Sequence, residues 1–144
     1  MPSLDEVDAK ILEMLEEDGR RSFTEIAQKL DLNEATVRKR VSALQKTGAI
    51  KKFTIKIDHT QVGIKTIAIV GIEVDPSSLL EVAQSLCDFK EIKCVATATG
   101  DHMIMTEIWT KDGRELTKLI SEKIEIMDGV KRICPAIILE KLKE

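Results

Sequence analysis

The sequence predicts an α+β protein in two parts. A winged helix-turn-helix module comes first, and a strand joins it to a split βαβ, ferredoxin-like half of order βαββαβ. Three observations carry that expectation. Residues 1–50 contain three stretches with the apolar spacing of amphipathic helices, separated by short turns. Residues 64–144 run through four strand-like segments and two helical ones. Positive charge gathers on the third helical stretch and the segment after it, residues 51–63, which reads as wing strand and linker.

Taken in order, Ser3 and Glu6 have the S-x-x-E spacing of a capping box. Leu4, Val7, Ile11 and Leu15, with Leu12 beside them, give the first helix its apolar stripe, and Asp18-Gly19 ends it. Ser22 and Glu25 repeat the box and open a second helix carrying Phe23, Ile26, Ala27 and Leu30. Asp31-Leu32-Asn33 then turns the chain into a third helix over residues 33–47, NEATVRKRVSALQKT. Asn33 caps its start, and Gly48 stands where a left-handed residue closes a helix. Val37, Val41 and Leu44 share one face of it, while Ala35, Arg38, Lys39, Ser42 and Lys46 project from the other. Two helices joined by a short turn, the second capped and cationic, form the helix-turn-helix pattern, with the first helix completing a three-helix core. Residues 50–58, IKKFTIKID, alternate apolar and basic side chains and predict a half-exposed strand. Lys51 and Lys52 at its start are placed to meet phosphates as a wing would.

Charge distribution says more than total charge. The net charge of the 144 residues is -3, which does not announce a nucleic-acid partner. Residues 20–59, however, hold ten Lys/Arg against four Asp/Glu, a net of +6, whereas residues 1–19 sum to -6 and residues 60–144 to -3. A basic segment inside an acidic chain is a localised electrostatic footprint, and the third helix reads as a recognition helix for double-stranded DNA.

The second half begins after Gly63. Residues 64–75, IKTIAIVGIEVD, form a nearly continuous apolar strand, and Asp75-Pro76 is an N-cap with a proline in the first turn. Leu79, Leu80, Val82, Ala83 and Leu86 populate the helix that follows. Residues 92–99 and 103–110 are strand-like runs about the hairpin signal Gly100-Asp101-His102. Asp112 and Glu115 start a last helix with Leu116, Leu119, Ile120, Ile124 and Met127 on its stripe, and Asp128-Gly129 stops it. Residues 130–142 return as the final strand, at an edge or bulged because Pro135 has no N–H. Four strands with both helices on one face leave the other face bare. Such an open apolar face meets another subunit, so the chain is expected to dimerise, with Trp109 as an interface anchor or, alternatively, part of a ligand wall.

Other function classes find little support. Cys87, Cys94 and Cys134 have no CxxC spacing and suggest a reducing compartment; Cys94, His102 and Cys134 would reach a metal only if their strands were neighbours. No P-loop or G-x-S-x-G is present, so no enzyme, metal or cofactor is expected. No run approaches a membrane span and no signal-like start is seen, which reads as a cytoplasmic protein without a membrane partner. One Asn, four Gln and abundant Ile, Lys and Glu fit a thermophile. An architectural, chromatin-like DNA binder and a cysteine-based metal or redox sensor are the alternatives from other classes.

LDEVDAKILEMLEEDGR and SFTEIAQKLDLNEATVRKRVSALQKTGAIKKF resemble the N-terminal module of the Lrp/AsnC ("feast/famine") transcriptional regulators. TATGDHM and DGVKRICPAIIL resemble landmarks of that family's C-terminal ligand-binding and assembly domain. The resemblance implies a homodimer, with octamers as a further state, and an amino-acid effector held between subunits, a basic one such as lysine being one option. It places Thr36, Arg38, Lys39, Arg40 and Ser42 on the DNA side, with Arg38, Lys39 and Ser42 best set for base edges and Lys51 and Lys52 for phosphates. Arg40 either clamps a phosphate or pairs with an acidic residue of the first helix. On the ligand side it implies Thr99, Gly100, Asp101, His102 and Met103 together with Ile133 and Pro135. Asp101 would take an α-ammonium, and N–H groups near Gly100 a carboxylate. His102, Met103, Ile133 and Pro135 depart from the family's usual residues, as do Asp31 for Gly in the turn and Asn33 for Ser at the cap.

Overall fold

Asp5 supplies the cap of the first helix. In the computed structural model, which describes residues 4–143, the Asp5 carboxylate accepts the Asp8 N–H at 2.8 Å and that of Asp8 accepts the Asp5 N–H at 3.4 Å. The expected Ser3–Glu6 box includes Ser3, which lies outside the described residues. Asp5 and Asp8 have the same i, i+3 spacing, and an N-cap carboxylate of this kind takes up a backbone N–H that the first turn leaves without a helical partner. Helix α1 (Glu6–Glu17) is followed by α2 (Phe23–Leu30), whose Ser22–Glu25 box is fully formed, with bonds of 3.0 and 3.1 Å.

Asp31 then adopts the left-handed conformation, φ 53°, which an aspartate tolerates better than most side chains. That single residue reverses the chain into α3 (Glu34–Lys46), capped by Asn33, whose Oδ1 accepts the Thr36 N–H at 2.8 Å. Ile11, Ile26 and Val37 are fully buried where the three helices meet, with Leu15, Ala27, Val41 and Leu44 around them. Burying each of the larger side chains contributes roughly 1.5–3 kcal/mol.

The expected wing strand is absent. Residues 51–58 form no regular element and pair with no strand, and Phe53, Ile55 and Ile57 remain 48%, 77% and 37% exposed. Alternation makes a segment fit for a sheet, but a strand exists only against a partner edge, and a three-helix unit offers none. The chain divides into two compact units between Ile57 and Asp58.

The second unit opens with a 3-10 turn (His59–Val62) closed by left-handed Gly63, φ 79°. Strand β1 (Thr66–Val74), helix α4 (Leu79–Cys87), strands β2 (Ile92–Thr97) and β3 (Ile104–Thr110), helix α5 (Gly113–Leu119) and strand β4 (Val130–Ile137) follow. The sheet is antiparallel in the order β2-β3-β1-β4, so β4 with Pro135 is an edge. Ala68, Val70, Ile72, Ile104 and Ile108 project under the helices and are fully buried with Leu86 and Ile124. Buried Thr106 in this layer satisfies its hydroxyl by donating to the Val70 carbonyl at 3.0 Å.

Three local expectations change. Asp75 makes no side-chain cap; its carboxylate pairs with Lys131 at 2.9 Å. The last helix widens into a π turn over Ile120–Ile124, bringing both Leu116 and Ile124 into the core. The final strand stops at Ile137, with one more main-chain bond from the Ile138 N–H to the Ile67 carbonyl at 2.8 Å, because no partner strand extends beside residues 139–142.

Candidate functional site

Helix α3 sorts its side chains into three groups. At about 3.6 residues per turn, burial of Val37, Val41 and Leu44 turns Ala35, Lys39, Ser42 and Lys46 directly outward. Lys39 and Lys46 are exposed and Ser42 is half-buried. Lys46 belongs to this stripe by position, although the residue roles carried over from the resemblance omit it.

Arg38 lies on the flank toward α2. Its guanidinium stacks over the Phe23 ring, 5.4 Å from the centroid, and is ion-paired with Glu34 one turn earlier. Thr36, half-buried, sits on the opposite flank, and its hydroxyl donates to Asn33 at 2.9 Å. Lys51 and Lys52 are exposed beyond Gly48, on a segment with no strand to fix it.

Arg40 takes the intramolecular alternative. Its Nη1 reaches Asp5 Oδ2 at 2.7 Å and Asp8 Oδ1 at 2.9 Å, tying α3 to the first turn of α1. The Asp8 backbone N–H and then the Arg40 guanidinium hold the Asp5 carboxyl below its ordinary range; the two carboxylates in turn raise the Arg40 pKa. A depressed carboxylate pKa stabilises the fold above the unfolded value and loses that contribution as pH falls through the folded one. This α1–α3 tie should therefore weaken in acid, below the usual Asp range. Replacing Arg40 by Ala is expected to move the Asp5 titration part of the way back toward its ordinary value, read by NMR. The Asp8 N–H should retain the remainder, so an unmoved Asp5 would contradict the pairing.

Beside this tie, Leu4, Asp8, Thr36, Lys39, Arg40, Ala43, Leu44 and Thr47 line a groove of about 450 Å³.

In the second unit, the loop between β2 and β3 divides the ligand-side residues. Thr99, Gly100 and Asp101 are exposed, Gly100 being left-handed with φ 105°. His102 folds back onto the helix-free face of the sheet and covers Gly71, where an added Cβ would lie 2.6 Å from its ring. The His102 Nδ1 is buried there without a hydrogen-bond partner. Met103 and Ile133 instead pack against the hydrophobic core, and Pro135 pairs with helix-facing Val70 at the β4 edge. The seven residues therefore do not line one cavity within a single chain. The reason is the period of two along a strand: Ile133 and Pro135 share the face of Ile72 and Val70, while His102 lies over Gly71 on the other.

Strand order, and not alternation, separates the two cysteines, because Cys94 pairs with Glu107 and Cys134 with Gly71 on the same helix-free face. Cys94 is on β2 and Cys134 on β4, the two outer strands, roughly 14 Å apart at the usual strand spacing. Among the described residues no group of three or more His, Cys, Asp or Glu is placed to hold a metal.

The helix-free face also carries Ile67, Ile69, Met105, Glu107 and Trp109. The Trp109 indole donates to Glu107 at 2.7 Å and meets the His59 ring edge-on at 4.0 Å. Burial raises the Glu107 pKa, but the Trp109 N–H and the Lys141 ammonium, 3.2 Å away, outweigh it and hold the carboxyl below its usual range. No helix among the described residues is long and apolar enough to cross a membrane.

Comparison with known proteins agrees with both units. A model of the AsnC-type helix-turn-helix domain matches residues 4–45, and one of the Lrp/AsnC ligand binding domain matches residues 67–144. The HTH-type transcriptional regulator LrpA of Pyrococcus horikoshii is 48% identical over 140 residues, 97% of this chain and 99% of that protein. LrpA1 of Halobacterium salinarum is 32% identical, covering 98% and 99%. Among solved structures, AsnC of E. coli superposes with a TM-score of 0.88 at 21% identity, covering 99% of this chain and 96% of that one. A Neisseria meningitidis transcriptional regulator, solved as a complex with L-Met, superposes with a TM-score of 0.90 at 19% identity, covering 99% and 94%.

Proposed function

The chain belongs to the Lrp/AsnC family of transcriptional regulators, and we propose that it is a sequence-specific regulator of amino-acid metabolism whose DNA binding or assembly responds to an amino acid. The carrying observation is the division of α3: three apolar residues hold the helix in its core while an outward stripe presents Lys39, Ser42 and Lys46, with Arg38 beside it. In this geometry Arg38, Lys39 and Ser42 meet base edges in the major groove, and Lys46, Lys51 and Lys52 meet phosphates. Arg40 acts within the unit, holding α3 against α1.

The functional unit is a homodimer, with higher assemblies such as octamers built from it. Two surfaces support self-association: the apolar, helix-free sheet face around Ile67, Ile69, Met105 and Trp109, and the unpaired segment with Phe53, Ile55 and Ile57 exposed. A twofold dimer presents two recognition helices to half-sites about one helical turn apart, or a multiple of it. The protein acts by binding rather than catalysis, in the cytoplasm.

The amino acid enters at the β2–β3 loop. Asp101 offers an exposed carboxylate to its ammonium group, and the N–H groups of the exposed turn around left-handed Gly100 would take its carboxylate. Because Ile133 and Pro135 lie across the sheet from His102, a complete pocket requires residues of a second copy. The L-Met complex of the Neisseria regulator supports an amino acid as the class of ligand this fold takes. Binding shifts assembly only through unequal affinity for the two states.

The DNA face is tested by two variants measured on a preferred and a random duplex. Arg38→Ala is expected to cost about 1–3 kcal/mol on the preferred duplex alone, relaxing sequence preference. Lys51→Ala should weaken both equally and reduce the salt slope by about one. Wild-type binding by both variants would refute this face.

A further inference from the structure

Glu34, on the flank of α3 beside Arg38, has no role in the reading above. It is the first residue of α3, the end of a recognition helix that reaches base edges. Its carboxylate is ion-paired with Arg38, and the two side chains stay 39% and 65% exposed. The ring of Phe23, at the start of α2, lies beneath the same guanidinium, with its centroid 5.4 Å from Arg38 Cζ. Arg38 is therefore held on two sides, by a ring and by a carboxylate, before any ligand arrives.

A carboxylate here opposes phosphates and lowers affinity for every duplex alike, so general attraction does not account for it. An i, i+4 Glu–Arg pair also stabilises a helix only weakly and would do so on any exposed face. What an ionised carboxylate offers is acceptor capacity alone, which the five-donor guanidinium lacks. In the major groove guanine presents two acceptors, O6 and N7, while cytosine presents the N4 amino donor. Arg38 and Glu34 together form a fork of donors beside an acceptor.

Resting on the DNA-binding reading, we propose that Glu34 is a specificity-determining residue. Arg38 takes guanine O6 and N7 while Glu34, still bonded to it, accepts the N4 amino group of a cytosine on the neighbouring base pair. The pair reads a two-base-pair G/C element in each half-site. The Phe23 ring backs the guanidinium as the carboxylate turns to the base.

The test is selection from a randomised 30-base-pair duplex pool with the full chain as wild type, Glu34→Ala, Glu34→Gln and Arg38→Ala, each checked for unchanged helical circular dichroism. The wild-type consensus is expected to contain adjacent guanine and cytosine contacts. Glu34→Ala should lose about tenfold discrimination at the cytosine position while binding random duplex no more weakly. Glu34→Gln should shift that position toward adenine, which a carboxamide contacts bidentately. Arg38→Ala should lose the guanine. A wild-type consensus reproduced by both Glu34 variants, with only a uniform change in affinity, overturns the Glu34 assignment alone. A wild-type pool that enriches no sequence removes sequence-specific reading itself, and this assignment with it.

Discussion

Replacing Ile26 by Ala is expected to cost about 2–5 kcal/mol and to melt the helical unit at a much lower denaturant concentration than wild type. Ile26 is fully buried and belongs to a core of seven buried residues among those described, three of them on α3. The removed side chain leaves a cavity among Ile11, Val37 and their neighbours, and a unit this small has little stability to spare. DNA binding should fall with the folded fraction, because α3 has no outward stripe unless its inner face is held. Urea melts of the full chain, followed by far-ultraviolet circular dichroism, measure the effect. Leu80→Ala is the control: at 71% exposed it should change stability by no more than about 0.5 kcal/mol. Equal melts for both variants would mean that Ile26 does not hold the unit together.

The second large effect is expected at Gly71. Its φ is not positive, so a side chain is barred by space and not by backbone strain. A Cβ there would lie 2.6 Å from Cδ2 and Cγ of His102 and 3.1 Å from its Cβ. Gly71→Ala should thus expel the imidazole from the sheet face and displace the β2–β3 loop, at a cost of about 1–3 kcal/mol as for other overpacked sites. In a His102→Ala background the same substitution should cost far less, because its obstacle is gone. A double-mutant cycle of thermal melts reads this coupling, and equal costs in both backgrounds would show that His102 does not occupy the space. The contact bears on the proposed function because the loop proposed to offer Asp101 to a ligand is anchored on the helix-free face through this ring.

The elements most legible in the sequence were those whose signals are local. The Ser22–Glu25 box, the Asn33 cap and the spacing of Val37, Val41 and Leu44 place α2 and α3 where they form, and Asp31 turns left-handed as its position requires. The βαββαβ order follows from alternating runs and from Asp112 and Gly129. The Asp5–Asp8 box has the same local i, i+3 spacing as Ser22–Glu25, although the sequence reading did not single it out. Residues 50–58 show the larger limit: a period of two marks a strand-forming segment, but only a partner edge makes it a strand.

The candidate sites were legible in proportion. The basic stripe of α3 follows from helical periodicity, yet Glu34 reads as an ordinary first-turn acid until its contact with Arg38 and the Phe23 ring beyond it are seen. Arg40 was open between phosphate and carboxylate because helix one and helix three meet only in the folded unit. The ligand-side set came as a string of positions, and strand alternation placed its members on two faces. Nothing local links Gly71 to His102, although glycine in the middle of an apolar strand often marks close approach by another group.

The most direct test of the central claim is an equilibrium titration, by fluorescence anisotropy near physiological salt, of the full chain on the duplex upstream of its own gene and on a random duplex of equal length. Sequence-specific regulation requires the upstream duplex to bind roughly 10³-fold or more tightly, a gap of at least about 4 kcal/mol. Equal affinity for both, falling steeply and in parallel with added salt, would contradict it and identify an architectural DNA binder instead.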